Sequence, residues 1–189
     1  PMWIEFALIG LVAGYLAGFL GIGGGFVVVP ILTWLLLKDP ATAPWAIHIA
    51  IATSLATMLV TSRSSLLSQH KRGAIRWPLV RRMAGGLMTG AVLGALVADY
   101  LPAGKLTVVF GIFAILAGLK LMLARQPIAE KPLPGVPGIV GTGGLIGAIS
   151  ALIGIGGGAM TVPWLLWHGV RAQNAIATSA ACGYPIAIA

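Results

Sequence analysis

A chain of 189 residues that is 58% hydrophobic and 8% charged, with a mean hydropathy of +0.99, lacks the polar surface of a water-soluble domain and is expected in lipid. Its net charge of +8 does not mark a nucleic-acid binder: five of the twelve basic residues, Lys71, Arg72, Arg76, Arg81 and Arg82, crowd between two apolar runs, the signature of a cytoplasmic loop, with membrane lipids as the partner such a patch suits. The single cysteine, Cys182, excludes an intrachain disulfide or a cysteine-based metal cluster, and the 27 glycines follow no Gly-X-Y period, which leaves close helix packing as their general use.

The first predicted element is an apolar run over residues 2–37 with one charge, Glu5. It is too long for the apolar core of a cleavable signal peptide. As one straight helix it would be about 54 Å long against a hydrocarbon core of about 30 Å. It is therefore expected to break at Gly21-Ile22-Gly23-Gly24-Gly25, where Pro30 is tolerated early in the second half. Three spans follow, about Trp45 to Leu67, Met83 to Tyr100 and Lys105 to Leu123, the last two joined by a tight turn at Leu101-Pro102-Ala103-Gly104. The loop from Gln69 to Arg82 is assigned to the cytoplasm. So is the Pro-rich linker 125–137, because two spans separate them. From about Gly138 to Trp167 a second apolar run is expected to break at Gly154-Ile155-Gly156-Gly157-Gly158, with Pro163 beyond it. The chain starts at Pro1 without an initiator Met and stops at Ala189 inside an apolar helix, as expected of a processed or truncated molecule.

The two glycine segments lie 133 residues apart. At the same offset Gly10, Gly14, Gly18 and Trp34 align with Gly143, Gly147, Ala151 and Trp167, and both segments are followed by an Ala-Thr-Ser triplet, Ala52-Thr53-Ser54 and Ala177-Thr178-Ser179. The expected fold is an all-α multi-pass transmembrane protein of duplicated four-helix repeats with glycine-broken helices. Residues 1–124 form the first repeat, 125–137 the cytoplasmic linker and 138–189 the start of an incomplete second repeat. If each broken segment makes one net crossing the repeats are parallel, the reading favoured here; a hairpin that fails to cross would make them inverted. Trp34, Trp45, Trp164 and Trp167 are expected at the outer ends of their segments as interfacial anchors.

Interrupted hydrophobic segments at corresponding places in two repeats point to a transporter site near the bilayer midplane. A broken helix leaves N–H groups unpaired at the start of its second half, where the helix dipole adds partial positive charge, so two such ends suit an anion without a charged side chain. The candidate substrate-binding residues are Gly21, Gly23, Gly24, Gly25, Pro30, Thr53 and Ser54 from the first copy. Gly154, Gly156, Gly157, Gly158, Pro163, Thr178 and Ser179 come from the second. The bland use of glycine is tight helix crossing, expected for Gly10, Gly14 and Gly18 and for Gly86, Gly90 and Gly94. Thr53, Thr57, Thr61 and Ser65 form a four-residue hydroxyl stripe that either lines a polar path or bonds its own i−4 carbonyls. Gly154 through Ala159 fits a GxGxxA dinucleotide pattern but follows a membrane run, not a strand, and the first copy ends in Phe26. No Asp or Glu lies deep in a span, since Glu5, Asp39, Asp99 and Glu130 sit near ends or in loops. A carboxylate relay or acid–base enzyme site thus has no candidates, and no cofactor or metal is implied; His48, His70 and His168 lack paired ligand spacing. Arg63 and Lys120 approach cytoplasmic ends, where such side chains more often snorkel to the interface than bind substrate; the alternative for Arg63, within Ser62-Arg63-Ser64-Ser65, is to attract anions at an inner vestibule.

The residues from Gly21 through Gly25 to Pro30, Ala52-Thr53-Ser54, the loop from His70-Lys71-Arg72-Gly73 to Ala74-Ile75-Arg76-Trp77, the Gly90 and Gly94 pair, Gly154 through Pro163 and Ala177-Thr178-Ser179 together resemble the TauE/SafE sulfite exporter family, also called the toluene sulfonate uptake permease group. The resemblance spans nearly the whole chain. It implies a bacterial inner-membrane permease of about eight spans, from a four-span duplication, that moves sulfite, sulfonates or related organic anions. By that pattern this chain stops during the sixth span. Export of a small anion by alternating access is the leading expectation; the alternative is a non-transporting scaffold or accessory subunit of a larger membrane complex, and a homodimer is a further open arrangement.

Overall fold

The computed structural model describes residues 10–11, 25–123 and 133–189, and every regular element among them is helical. Helices α1 (Gly25–Leu36), α2 (Ala46–Lys71), α3 (Trp77–Tyr100), α4 (Ala103–Leu123), α5 (Val136–Ile153), α6 (Gly158–Trp167) and α7 (Ala172–Ile188) follow in order, with a 3-10 turn at Ala43–Trp45 before α2. The segments Ala43–Lys71, Trp77–Tyr100 and Val136–Ile153 are long and apolar enough to cross a bilayer. The chain is a multi-pass, all-helical membrane protein. Gly21, Gly23 and Gly24, with Gly14 and Gly18, lie outside the described residues, as does most of the linker.

Prolines set two helix starts earlier than hydropathy does. Pro78 and Pro137 occupy the first turns of α3 and α5, where a missing N–H costs no hydrogen bond. Arg81 and Arg82 therefore stand on α3 and not in a loop. The connection shrinks to Arg72–Arg76, with the His70 and Trp77 rings 5.5 Å apart across it.

The central contact is α3 against α5. A Cβ built on Gly86, Gly90 or Gly94 would fall on the carbonyl oxygen of Val140, Gly144 or Ala148, and one on Gly147 would fall on that of Leu87. Backbone touches backbone at one-turn intervals, the close approach that small residues allow. Because the partner numbers rise together, α3 and α5 run parallel, and their starts lie at the same end as the basic residues Lys71, Arg72, Arg76, Arg81 and Arg82. Gly10, by contrast, has no neighbour within 4 Å among the described residues. Helix α2 runs antiparallel to α3. Near its start, His48 Nε2 approaches the carbonyls of Ala98 and Leu101 at 3.3 and 3.2 Å, so Nε2 carries the proton there.

The second glycine-broken segment does not continue in a straight line. Gly154 lies beside Ile51, Gly156 beside Met58, and Gly157 beside Ile146 and Ile186, so the chain turns back along α5 and α2 towards the basic end. Helix α7 then starts at that end: the Arg76 N–H, at the start of α3, donates to Thr178 Oγ1 at 3.1 Å, while Gly183 further along meets Met58 and Ser62. The expected single net crossing is thus corrected to a hairpin in which α5 leaves the basic end and α6 returns to it. Trp164 and Trp167, expected at the outer end, consequently sit at the basic end with His168. Trp34 and Trp45 do lie at the opposite one, where Lys38 Nζ stands 3.6 Å over the Trp34 ring.

Candidate functional site

The break begins with a helix stop. Gly154 adopts a left-handed φ of 69°; its N–H bonds Ala151 O at 3.4 Å, and the Ile155 N–H bonds Ser150 O at 3.1 Å. This pair of bonds is the Schellman arrangement, which closes the carbonyls of α5. The Gly154 carbonyl itself accepts from Ser54 Oγ of α2 at 2.8 Å, a buried bond. On the other side, a Cβ on Gly25 would fall on that same carbonyl oxygen and come within 2.8 Å of Ile155 Cα. Gly25 from the first glycine segment and Gly154 from the second therefore meet, with Ser54 between the helices that carry them.

After this turn the backbone changes character. The N–H groups of Gly156, Gly157, Gly158 and Ala159 donate to no backbone carbonyl among the described residues, as expected where α6 begins. Met58, halfway along α2, places its Cε and Sδ 3.1 Å from where a Gly156 Cβ would sit. The Ile186 Cδ1 stands 2.6 Å from a Cβ position on Gly157. Two buried hydroxyls accompany the turn, Thr161 of α6 and Ser179 of α7, and neither has a hydrogen-bond partner among the described residues.

The structure divides the expected site residues. Gly25, Ser54, Gly154, Gly156, Gly157, Gly158 and Ser179 gather at the break. Thr178 is buried but faces the Arg76 backbone, where it anchors the start of α3. Thr53 is exposed and bonds the Ile49 carbonyl at 2.7 Å, and Pro30 is also exposed; neither reaches the break. Pro163 is half-buried within α6. Along the expected hydroxyl stripe, Thr57 and Thr61 bond the Ser54 and Thr57 carbonyls of their own helix, so the self-bonding reading holds for these members. Thr161, Met58 and Ile186 were not legible as site residues: the position matching Thr161 in the first copy is Val28, so repetition gave no signal.

Among the described residues no group of His, Cys, Asp or Glu could hold a metal ion. A surface groove of about 420 Å³ runs between α2 and α7, lined by Leu59, Val60, Arg63, Ser64, Leu67 and Tyr184. It opens nearer the basic end than the break does, and Arg63 is its charged group.

The family described as Sulfite exporter TauE/SafE matches residues 6–189. A probable membrane transporter protein of Haemophilus influenzae is 34% identical over 96% of this chain and 69% of its own length. Another, of Bacillus subtilis, is 30% identical over 87% of the chain and 67% of its own length. A third, of Methanocaldococcus jannaschii, is 30% identical over 91% and 64%. The chain thus spans about two-thirds of the length of these relatives. No solved structure matches.

Proposed function

The chain belongs to the sulfite exporter TauE/SafE family of membrane transporters, and from that premise we propose that it is a secondary transporter exporting sulfite, a sulfonate or a related small organic anion across a bacterial inner membrane. The observation that carries this reading is the meeting of Gly25 with Gly154 under the Ser54 bond. Beyond it the N–H groups of Gly156 through Ala159 bond no backbone carbonyl among the described residues, and Gly156 lies beside Met58, at the middle of α2. Such N–H groups attract negative charge without a cationic side chain. Further support comes from the basic end, where the Arg63 groove offers an anion a first resting place before the break.

Export follows from the same electrostatics. With the basic end in the cytoplasm, an inside-negative potential contributes about 2.3 kcal/mol per charge per 100 mV towards anion exit, a driving force that can act with or without a coupling ion. Alternating access then exposes the break to one side and then the other.

The test is flux of radiolabelled sulfite and sulfonate through the complete protein in proteoliposomes, under an imposed potential and with chloride as control. Saturable, potential-dependent flux is expected. Gly157→Leu should abolish it while membrane insertion persists, because the new side chain would fill the turn against Ile186 Cδ1, Thr161 Oγ1 and Ile146 Cγ2. Absence of flux for every sulfur anion, from folded wild-type protein, would overturn the reading in favour of a non-transporting scaffold.

A further inference from the structure

We propose that the first turn of α6, together with Thr161 and Ser179, forms a charge-neutral subsite for the oxygens of a small oxyanion; this rests on the transporter reading above and gives it an address. Helix α6 is 10 residues long, enough for a developed dipole. Its Gly158 and Ala159 N–H groups lack acceptors among the described residues. The independent observation is the pair of orphan hydroxyls. Thr161 is 0% and Ser179 2% exposed, and neither Oγ finds a partner among the described residues.

Five other helical threonines behave differently. Thr33, Thr53, Thr89, Thr107 and Thr142 each donate to the carbonyl four residues back. Thr161 has the same option and does not use it, and Ser179 likewise bonds nothing on α7. A buried hydroxyl left unpaired is costly. Both point at the same glycine turn: Thr161 Oγ1 lies 3.5 Å from a Cβ position on Gly157, and Ser179 Oγ lies 3.4 Å from one on Gly158. A ligand that displaced the Ile186 end from this turn would reach the backbone between two O–H donors and two N–H donors. An –SO3 group, with three acceptor oxygens and no proton to offer, complements that all-donor set.

The donors are all neutral, so a bound anion keeps its charge and responds to the membrane potential. Met58 and Ile186 close the turn on the sides of α2 and α7; Met58 is an unbranched, flexible chain, whereas Ile186 is β-branched and yields chiefly at its terminal Cδ1. The arrangement is that of a covered site.

The decisive measurement is equilibrium binding of sulfite to the purified complete protein, alongside the concentration dependence of flux. Thr161→Val and Ser179→Ala remove one donor each with little change of volume. Each should weaken sulfite binding, and raise the half-saturating concentration, about tenfold or more, whereas Thr161→Ser should retain near wild-type binding. Thr161→Ser and Ser179→Ala decide the matter if Thr161→Val does not fold. Wild-type binding in both hydroxyl-deletion variants, or no sulfite binding by the wild type, would overturn the subsite. Flux that persists with unchanged half-saturation in the variants would remove the subsite but leave the transporter reading; binding without flux would do the reverse.

Discussion

Gly154 and Gly157 stand three positions apart in one turn yet are required for different reasons. Gly154 has a left-handed φ of 69°, where a Cβ is strained, so Gly154→Ala is expected to cost about 1–2 kcal/mol of stability. Ser54→Ala should cost a similar or larger amount, about 1–3 kcal/mol, because it leaves the buried Gly154 carbonyl without its partner. Chemical unfolding in detergent, compared with wild type, checks both. Gly157, at an ordinary φ of −50°, is held small only by its neighbours. Ser54 was legible because its triplet recurs, but repetition could not separate it from Thr53. Adjacent residues on a helix point about 100° apart, so on α2 Ser54 turns inward and Thr53 outward. On α7 both positions are buried, and there Thr178 meets a backbone N–H while Ser179 meets the break. Two equal triplets thus acquire four different environments from tertiary packing alone.

At the scale of elements, the α3–α5 crossing is the contact most exposed to small changes. Gly90→Ala should destabilise the protein by about 1–3 kcal/mol or more, since the new Cβ would fall on the Gly144 carbonyl oxygen and the backbones must part. Gly85→Ala, five positions earlier on the same helix with nothing within 4 Å among the described residues, is the matched control and should be neutral or slightly stabilising. Unfolding midpoints of the two variants in one detergent give the comparison. The four-residue spacing of Gly86, Gly90 and Gly94 announced a crossing face in the sequence. Its partner was not legible, because spacing specifies a face and not the helix that fills it. The helix starts were missed for a related reason: hydropathy saw Arg81 and Arg82 as loop, whereas Pro78 marks where α3 can begin.

For the molecule as a whole, the direction of α6 decides how the two halves relate. From the meeting point of Gly25 and Gly154, α1 runs to the end that carries Trp34 and Lys38, and α6 runs to the opposite, basic end. Helices α2 and α7, which follow them, are antiparallel, with Met58 and Ser62 of one beside Gly183 of the other. If the two glycine segments descend from a duplication, these opposite directions relate the copies by inversion. Sequence alone left this open because a glycine-broken run of one length can either cross or return, and hydropathy is blind to the difference. What settles it is Thr178 at the Arg76 backbone, a contact between residues 102 apart. The consequence is checked with single cysteines in a Cys182→Ser background, labelled by a membrane-impermeant maleimide from either side. Arg171→Cys should react from the same face as Arg72→Cys, and Lys38→Cys only from the other. A straight crossing by α5 and α6 predicts instead that Arg171→Cys and Lys38→Cys share a face. That pattern would undo the hairpin, and with it the inverted relation, since α7 would then start at the wrong end to bring Thr178 to Arg76.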